Sequence, residues 1–314
     1  MEERMRAGGA AASAGSAARS TAARRRTAGA ATQLGTEVSI NLGSALAGLV
    51  IPIVGAPVVV AARQLVMAAA VLPFYRPRRS ELTWRRLWPA IALGVALAVM
   101  NLSFYQAVHL LGLGIAATIE FLGPLTLALV TSRRLLDVIC AVAAGGGVFL
   151  LTGFDGTVDV WGIALALTAA AAWAAYIVLT RRVATRLPGL EGLTVAGIVS
   201  LVILLPLAVA TVDVTVIDGR VLALLVGVGI LSSALPYSLD TFILRRITPR
   251  LYAIITAFGP VVAAVFGWLI LSEQFTVLEV VAIAIVCVAA GTAIATQRDR
   301  GPKPDLEHVA EITP

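Results

Sequence analysis

A single carboxylate, Glu120, lies inside a long apolar run, where residues 119–125 read Ile-Glu-Phe-Leu-Gly-Pro-Leu. One basic residue, Arg63, lies inside another apolar run. Charges in such segments are costly unless they are paired, hydrated or neutralised. Three roles are open to these residues. They could form a static salt bridge that fixes packing, they could contact a zwitterion through guanidinium and carboxylate, or Glu120 could carry a coupling proton.

Six further polar or aromatic residues within apolar runs are candidates to line a cavity: Asn101, Tyr105, Trp173, Tyr176, Tyr237 and Asp240. Asp240 could equally be a solvated partner of the arginines that follow it. Trp173 and Tyr176 could serve packing alone. Glu37, near the start of the first apolar run, is predicted to lie at a membrane interface.

A Gly-Pro pair recurs at a fixed interval in two apolar runs. Gly123-Pro124 and Gly259-Pro260 are 136 residues apart, and an isoleucine precedes each glycine by four positions. A proline ring clashes with the carbonyl four residues earlier and removes one helical hydrogen bond. The freed carbonyl needs protein, water or substrate as its partner. The sequence therefore predicts two helix kinks that face a hydrated cavity.

The composition is that of an integral membrane protein. Of the 314 residues, 59% are apolar and 13% are charged, which leaves too little polar surface for a soluble chain. Apolar runs of about 20 residues recur, the length of a helix that crosses a hydrocarbon core. Ten spans are predicted, at about 35–54, 57–74, 88–107, 113–131, 135–152, 160–180, 192–210, 220–240, 250–271 and 276–296.

Motifs for enzymatic chemistry are absent from the sequence. It has no phosphate-binding loop, dinucleotide fingerprint, nucleophile elbow or zinc-ligand spacing, and its two histidines and two cysteines stand apart. We therefore predict no enzyme, no cofactor and no metal site.

Basic residues fall in alternate connections between the predicted spans. Of the 24 lysines and arginines, 22 lie on one side, which the positive-inside rule makes the cytoplasmic side. Both termini are therefore predicted to be cytoplasmic. The net charge of +6 follows from this orientation and does not indicate a nucleic-acid partner.

The ten predicted spans divide into two sets of five, which predicts an all-α integral membrane fold built from two inverted five-helix repeats. The predicted segments are a disordered basic tail at 1–32, a first repeat at 33–152, an outer linker at 153–159, a second repeat at 160–296 and a cytoplasmic tail at 297–314. An odd number of spans per repeat inverts the second copy in the membrane. Inverted repeats with interrupted helices are typical of transporters that bind substrate near the midplane.

Several stretches of the sequence carry a family resemblance. They are Val-Gly-Ala-Pro at 54–57, Ala-Arg-Gln-Leu at 62–65, Glu-Phe-Leu-Gly-Pro-Leu at 120–125, Ser-Arg-Arg at 132–134, Trp-Ala-Ala-Tyr at 173–176 and Ser-Ser-Ala-Leu-Pro-Tyr-Ser-Leu at 232–239. Over about residues 33–297 the chain resembles the EamA family of the drug/metabolite transporter superfamily, and within it the threonine/homoserine exporter type. It departs from that type at Asp240, where a glutamate is expected, and at Phe258, where an acidic residue is expected before Gly-Pro.

The resemblance implies a bacterial inner-membrane exporter of small amino acids, coupled to protons and working by alternating access. Its implied partners are a small-molecule substrate, protons and the lipid bilayer. An exporter of another metabolite or drug-like cation is one alternative, and a channel or non-transporting scaffold is another. The oligomeric state, a homodimer included, is left open by the sequence.

Overall fold

The computed structural model describes residues 2–71, 83–130, 135–151, 159–186, 191–244 and 246–296, and these are almost entirely helical. The helices are α1 (Glu2–Val54), α2 (Ala56–Val71), α3 (Trp84–Leu111), α4 (Leu113–Glu120), α5 (Leu122–Val130), α6 (Leu135–Leu151), α7 (Val160–Ala184), α8 (Glu191–Thr211), α9 (Gly219–Gly229), α10 (Leu235–Leu244), α11 (Pro249–Thr256), α12 (Gly259–Leu271) and α13 (Val277–Thr296). A 3₁₀ turn at Val214–Val216 precedes α9, and a π-helical turn at Ile230–Ala234 joins α9 to α10.

Six helical segments within the described residues are long and apolar enough to cross a membrane: Thr27–Val54, Trp84–Leu111, Val160–Val183, Glu191–Thr211, Leu251–Leu271 and Val277–Thr296. Four shorter apolar segments accompany them: Ala56–Ala70, Leu113–Leu127, Val138–Leu151 and Gly219–Ala234. The protein is therefore an all-helical, multi-pass membrane protein.

The first helix differs from the predicted organisation of the amino-terminal tail. Residues 1–32 were expected to be disordered, whereas α1 begins at Glu2. Alanine and arginine dominate this segment, and both have high intrinsic helix propensity, so a helix can form without an apolar face. Most of the predicted linker at 153–159 and the whole tail at 297–314 lie outside the described residues.

Helix interruptions occur at corresponding places in the two halves of the sequence. Phe121 separates α4 from α5, and Ala257 with Phe258 separates α11 from α12. Glu120 and Thr256, the last residues of α4 and α11, are 136 residues apart, the same interval as the two Gly-Pro pairs. Each interruption begins three or four residues before the proline, where the ring removes the helical hydrogen bond.

The helices pack in a pattern that joins the two halves of the chain. α3 packs along α7 and α8, α2 packs on α8 and α9, and α6 packs on α13. α1 contacts α9, the π-helical turn, α10, α11 and α12. The largest cluster of buried apolar residues joins the end of α1, the start of α2, the end of α3 and the start of α4, and it includes Val50, Val59 and Leu113.

A carboxylate ties together two turns at that same end of the bundle. Glu273, between α12 and α13, accepts hydrogen bonds from the backbone N–H groups of Leu113 and Gly114, at 2.5 and 3.2 Å. Both N–H groups belong to the first turn of α4, where the helix itself offers no acceptor. This turn follows Gly112, which has φ 84°. A Cβ at Gly112, in the turn before α4, or at Gly267, near the end of α12, would come against the Glu273 carboxylate, so this contact depends on both glycines.

Replacing Glu273 with Gln should change how thermal stability depends on pH. Burial raises the pKa of Glu273 above its ordinary value of 4.5, and the two backbone hydrogen bonds only partly oppose this. A carboxyl group with a raised pKa in the folded state contributes stability below its ordinary pKa, and this stability is lost as the pH rises through the folded-state pKa. The melting temperature of Glu273→Gln relative to wild type should therefore improve as the pH rises through that window.

Thermal melts of purified protein in detergent, followed by tryptophan fluorescence, would measure this difference. Glu279→Gln is the matched control, because Glu279 is a partly exposed carboxylate that accepts hydrogen bonds from Thr276 at the start of α13. A constant offset between Glu273→Gln and wild type at every pH would contradict the prediction.

Candidate functional site

A cavity of about 220 Å³ lies inside the helical bundle, between both halves of the sequence. The described residues that line it come from α1, α2, α3, α4, α7, the π-helical turn and α10–α12, with Phe121 at the α4–α5 interruption. Its charged residues are Glu37, Arg63 and Glu120. Charged side chains inside a membrane protein mark binding sites and ion pathways, so this cavity is the candidate site.

Arg63, on α2, is held by a network of polar groups in the cavity wall. Its Nε donates to Ser233 Oγ at 2.6 Å, and its Nη2 donates to the Ser232 carbonyl at 2.9 Å. Its Nη1 donates to Asn101 Oδ1 at 2.7 Å and to the Tyr105 hydroxyl at 3.2 Å. The guanidinium thereby links α2 to α3 and to the π-helical turn.

The π-helical turn supplies the carbonyl that Arg63 uses. Such turns leave backbone carbonyls outside the usual helical pairing and occur frequently at functional sites. Here Ser39 Oγ on α1 donates to the Leu231 carbonyl at 2.7 Å, and Arg63 donates to the next carbonyl, that of Ser232. The turn is thus fastened to α1 and α2 through its own backbone.

Glu120 ends α4 at the interruption before α5 and lines the same cavity as Arg63. No residue in the described part of the chain forms a hydrogen bond or an ion pair with its carboxylate. The static Arg63–Glu120 bridge, one of the three roles predicted for this pair, is therefore not present in this conformation. Arg63 instead uses neutral acceptors, because Asn101 and the π-helical turn come within hydrogen-bonding distance.

Glu37 is a cavity residue, and its predicted position at a membrane interface is wrong. Its side chain is 7% exposed and lines the cavity. Gln33 Nε2 and Thr256 Oγ1 donate to its Oε1 at 3.0 and 2.8 Å, and Gln33 Nε2 also donates to Thr256 Oγ1 at 3.2 Å. Thr256 in the second half of the sequence corresponds to Glu120 in the first half. Glu37 therefore places a carboxylate beside a position that has no acidic side chain of its own in the second half.

Two signals in the sequence could have located Glu37. It follows Thr27, the start of the first membrane-length segment, by ten residues, which places it on the order of 15 Å along the helix. It also shares one helical face with Asn41 and Ser44, at spacings of four and three residues, and all three line the cavity.

The structure brings four of the other six predicted lining residues to this site. Asn101, Trp173 and Tyr176 line the cavity itself. Tyr105 is fully buried behind it, where its ring lies 5.8 Å from the Arg63 guanidinium carbon. Tyr237 and Asp240 belong to α10, but their side chains fall outside the described part of the chain, so both residues stay predictions.

The glycines of the two Gly-Pro pairs differ in how closely they are packed, and Gly123 is the one at a close helix contact. A Cβ on Gly123 would come 2.1 Å from the Ala170 carbonyl oxygen, so this glycine lets the α4–α5 segment approach the α7 backbone. A Cβ on Gly259 would lie 3.4 Å from Oε2 of Glu37. Gly259 and Pro260 line the cavity, and Pro124 lies within α5.

Aromatic packing completes the wall at the α4–α5 interruption. The rings of Phe121 and Trp173 meet edge to face, with centroids 5.6 Å apart and an interplanar angle of 81°. Trp173 therefore both packs and lines the cavity, so the two alternatives weighed for it coexist.

Comparisons with known proteins agree with this architecture. Residues 160–296 match the EamA-like transporter family. The chain is 34% identical over 265 residues to the threonine/homoserine exporter RhtA of Salmonella typhimurium (strain SL1344), and equally to that of Escherichia coli (strain K12). In both cases the match covers 83% of this chain and 90% of the relative.

A crystal structure of another protein shares the fold. It superposes with a TM-score of 0.55 at 20% sequence identity, and the match covers 86% of this chain and 97% of the other. The identity, the coverage of the exporters and the match over the second half together show that the chain is a transporter rather than an enzyme and that it belongs to the EamA family of drug/metabolite transporters.

Proposed function

We propose that this protein is a secondary active exporter of small amino acids of the threonine and homoserine type, coupled to protons and working by alternating access. The observation that carries the proposal is a cavity inside the bundle with Glu37, Arg63 and Glu120 in its lining, in a chain that is 34% identical to threonine/homoserine exporters. A cavity of about 220 Å³ has room for a small amino acid.

The proposed architecture of the protein is ten membrane spans in two inverted repeats. The six long and four shorter apolar segments add up to that number within the described residues. Helix contacts in the two halves also correspond to one another. α3 packs on α7 in the same way that α9 and α10 pack on α1. Likewise, α4 and α5 pack on α7, and α11 and α12 pack on α1. This exchange supports a pseudo-two-fold relation between the halves.

The conformation has one end of the bundle closed by apolar packing. The main apolar cluster and the Glu273 contacts lie where α1 ends and α4 begins, whereas the cavity is lined by Thr36, Glu37 and Tyr252 toward the opposite end. With both termini cytoplasmic, as the arginine distribution predicts, the closed end faces outward. Substrate would then enter from the cytoplasm of a bacterial inner membrane.

In this mechanism Glu120 exchanges the coupling proton, and substrate binds to polar residues elsewhere in the lining. The absence of a hydrogen bond to Glu120 from any described residue supports this division, because a carboxylate held by fixed donors is harder to protonate. Asn101, Trp173, Tyr176, Tyr237 and Asp240 belong to the proposed lining, and Tyr105 supports Arg63. The four Gly-Pro residues supply the interruptions about which the repeats rearrange. A homodimer stays a prediction.

Counterflow in proteoliposomes tests the proposal. Purified protein in liposomes preloaded with unlabelled threonine should accelerate uptake of external labelled threonine, with saturation, relative to unloaded and to protein-free liposomes. Homoserine should compete, while a drug-like cation should not. Absence of substrate-dependent flux across a panel of amino acids would refute the proposal, and flux without acceleration by internal threonine would indicate a channel.

A further inference from the structure

The Arg63 guanidinium has little capacity left to bind a substrate. A guanidinium carries five N–H donors, and four of those on Arg63 donate to Ser233, Asn101, Tyr105 and the Ser232 carbonyl. One N–H on Nη2 remains. Two parallel N–H donors are needed to hold a carboxylate in the bidentate geometry that makes arginine selective for it.

Disengaging Arg63 to bind a carboxylate would leave several polar groups without their partner. Asn101 is 3% exposed, Ser232 is 2% exposed and Ser233 is 1% exposed. Buried acceptors that lose their donors carry the full cost of desolvation. The network therefore holds Arg63 as a positioning residue that ties α2 to α3 and the π-helical turn.

Hydrogen-bond acceptors are present elsewhere in the described cavity wall. The carboxylates of Glu37 and Glu120 line it, and Asn41 uses its amide nitrogen to donate to the Glu37 carbonyl at 2.9 Å, which leaves Oδ1 as an acceptor. Thr256 Oγ1 already donates to Glu37 and accepts from Gln33. An ammonium group has three N–H donors and no acceptor, so it complements this wall.

The charges of the lining residues are compatible with the same group. The described lining holds the carboxylates of Glu37 and Glu120 and the guanidinium of Arg63. The Arg63 guanidinium is engaged by its own network, so a substrate ammonium can meet the Glu37 carboxylate whether Glu120 is protonated or ionised.

We propose, on the basis of the exporter function above, that the cavity recognises its substrate through the ammonium group, with Glu37 as a principal contact, and that the substrate carboxylate is dispensable for binding. The substrate class is then small hydroxylated primary amines, of which threonine and homoserine are carboxylated members. Glu37 presents its carboxylate beside Thr256, and the hydroxyl and amide groups along α1 are within the same cavity for the substrate hydroxyl.

Competition in the counterflow assay tests this inference with two analogues of threonine. Threoninamide keeps the ammonium and loses the carboxylate, whereas 2,3-dihydroxybutanoate keeps the carboxylate and has a hydroxyl in place of the ammonium. Threoninamide should inhibit labelled threonine counterflow within about threefold of threonine itself, and dihydroxybutanoate should be weaker by about tenfold or more, the value of one charge-assisted hydrogen bond. The reverse order of the two analogues would overturn the inference.

Variants at the two charged positions separate the roles of their side chains. Glu37→Gln should weaken threonine and threoninamide alike by about tenfold or more. Arg63→Gln should lower the melting temperature but leave the ratio of the two inhibition constants unchanged. A change of about tenfold in that ratio, with threonine weakened selectively, would show that Arg63 binds the carboxylate and would overturn the inference.

The outcomes distinguish this inference from the proposed function. Absence of threonine flux in the wild type would remove the exporter function itself. Threonine flux that threoninamide fails to inhibit would refute ammonium-based recognition and leave the exporter function intact. If Arg63→Gln does not fold, Arg63→Lys and the comparison of the two analogues on the wild type still test the inference.

Discussion

Glu120→Gln should abolish transport driven by a pH gradient while leaving exchange at equal pH intact. Glutamine keeps the size and one acceptor oxygen of the side chain but can neither bind nor release a proton at any accessible pH. Uptake of labelled threonine driven by an imposed pH gradient should therefore fall to that of protein-free liposomes. Counterflow with the same pH on both sides needs no net proton movement and should continue.

Two features of the site make Glu120 the residue for this test. It lines the cavity, and no described residue donates a hydrogen bond to its carboxylate, in contrast to Glu37. Glu279→Gln is the matched control, because Glu279 is partly exposed at the start of α13 and is not among the residues that line the cavity. Gradient-driven uptake at the wild-type rate in Glu120→Gln would leave Glu120 with a packing role and move proton coupling elsewhere.

Gly123→Ala should destabilise the protein strongly, although it adds a single methyl group. That methyl would lie 2.1 Å from the Ala170 carbonyl oxygen and 2.8 Å from its carbonyl carbon, both backbone atoms that no rotamer change can move. The α4–α5 segment and α7 must separate, and overpacking of this kind costs about 1–3 kcal/mol, with backbone contacts toward the upper end. The melting temperature and the yield of folded protein should both fall.

Gly145→Ala is the matched control for this substitution. Gly145 is also in a membrane helix, α6, and a Cβ there would meet no atom within 4 Å. In a helix, alanine is favoured over glycine by about 1 kcal/mol, so the control should be neutral or slightly stabilising. Equal melting temperatures for the two variants, measured by tryptophan fluorescence in the same detergent, would contradict the close contact between Gly123 and α7.

Much of the fold follows from local features of the sequence. Apolar runs of membrane-spanning length must form helices, because backbone groups in a bilayer have no other hydrogen-bond partner. Helix interruptions near Pro124 and Pro260 follow equally directly, since the ring removes a hydrogen bond wherever it occurs in a helix. That Glu120 and Arg63 lie in one cavity was also within reach of the sequence, because charges inside apolar segments must face the protein interior.

The partners of those charges were decided only by the tertiary structure. Arg63 and Ser233 are 170 residues apart in sequence, and Glu37 and Thr256 are 219 apart. Which acceptor a long side chain uses depends on distances of a few tenths of an ångström between helices that are remote in the chain. The sequence by itself determined a multi-pass helical protein with an acid and a base in its interior. Packing decided that the base is held by neutral groups and that a second acid, Glu37, shares the cavity, because both depend on how close α1, α2 and α11 come to one another and to the π-helical turn.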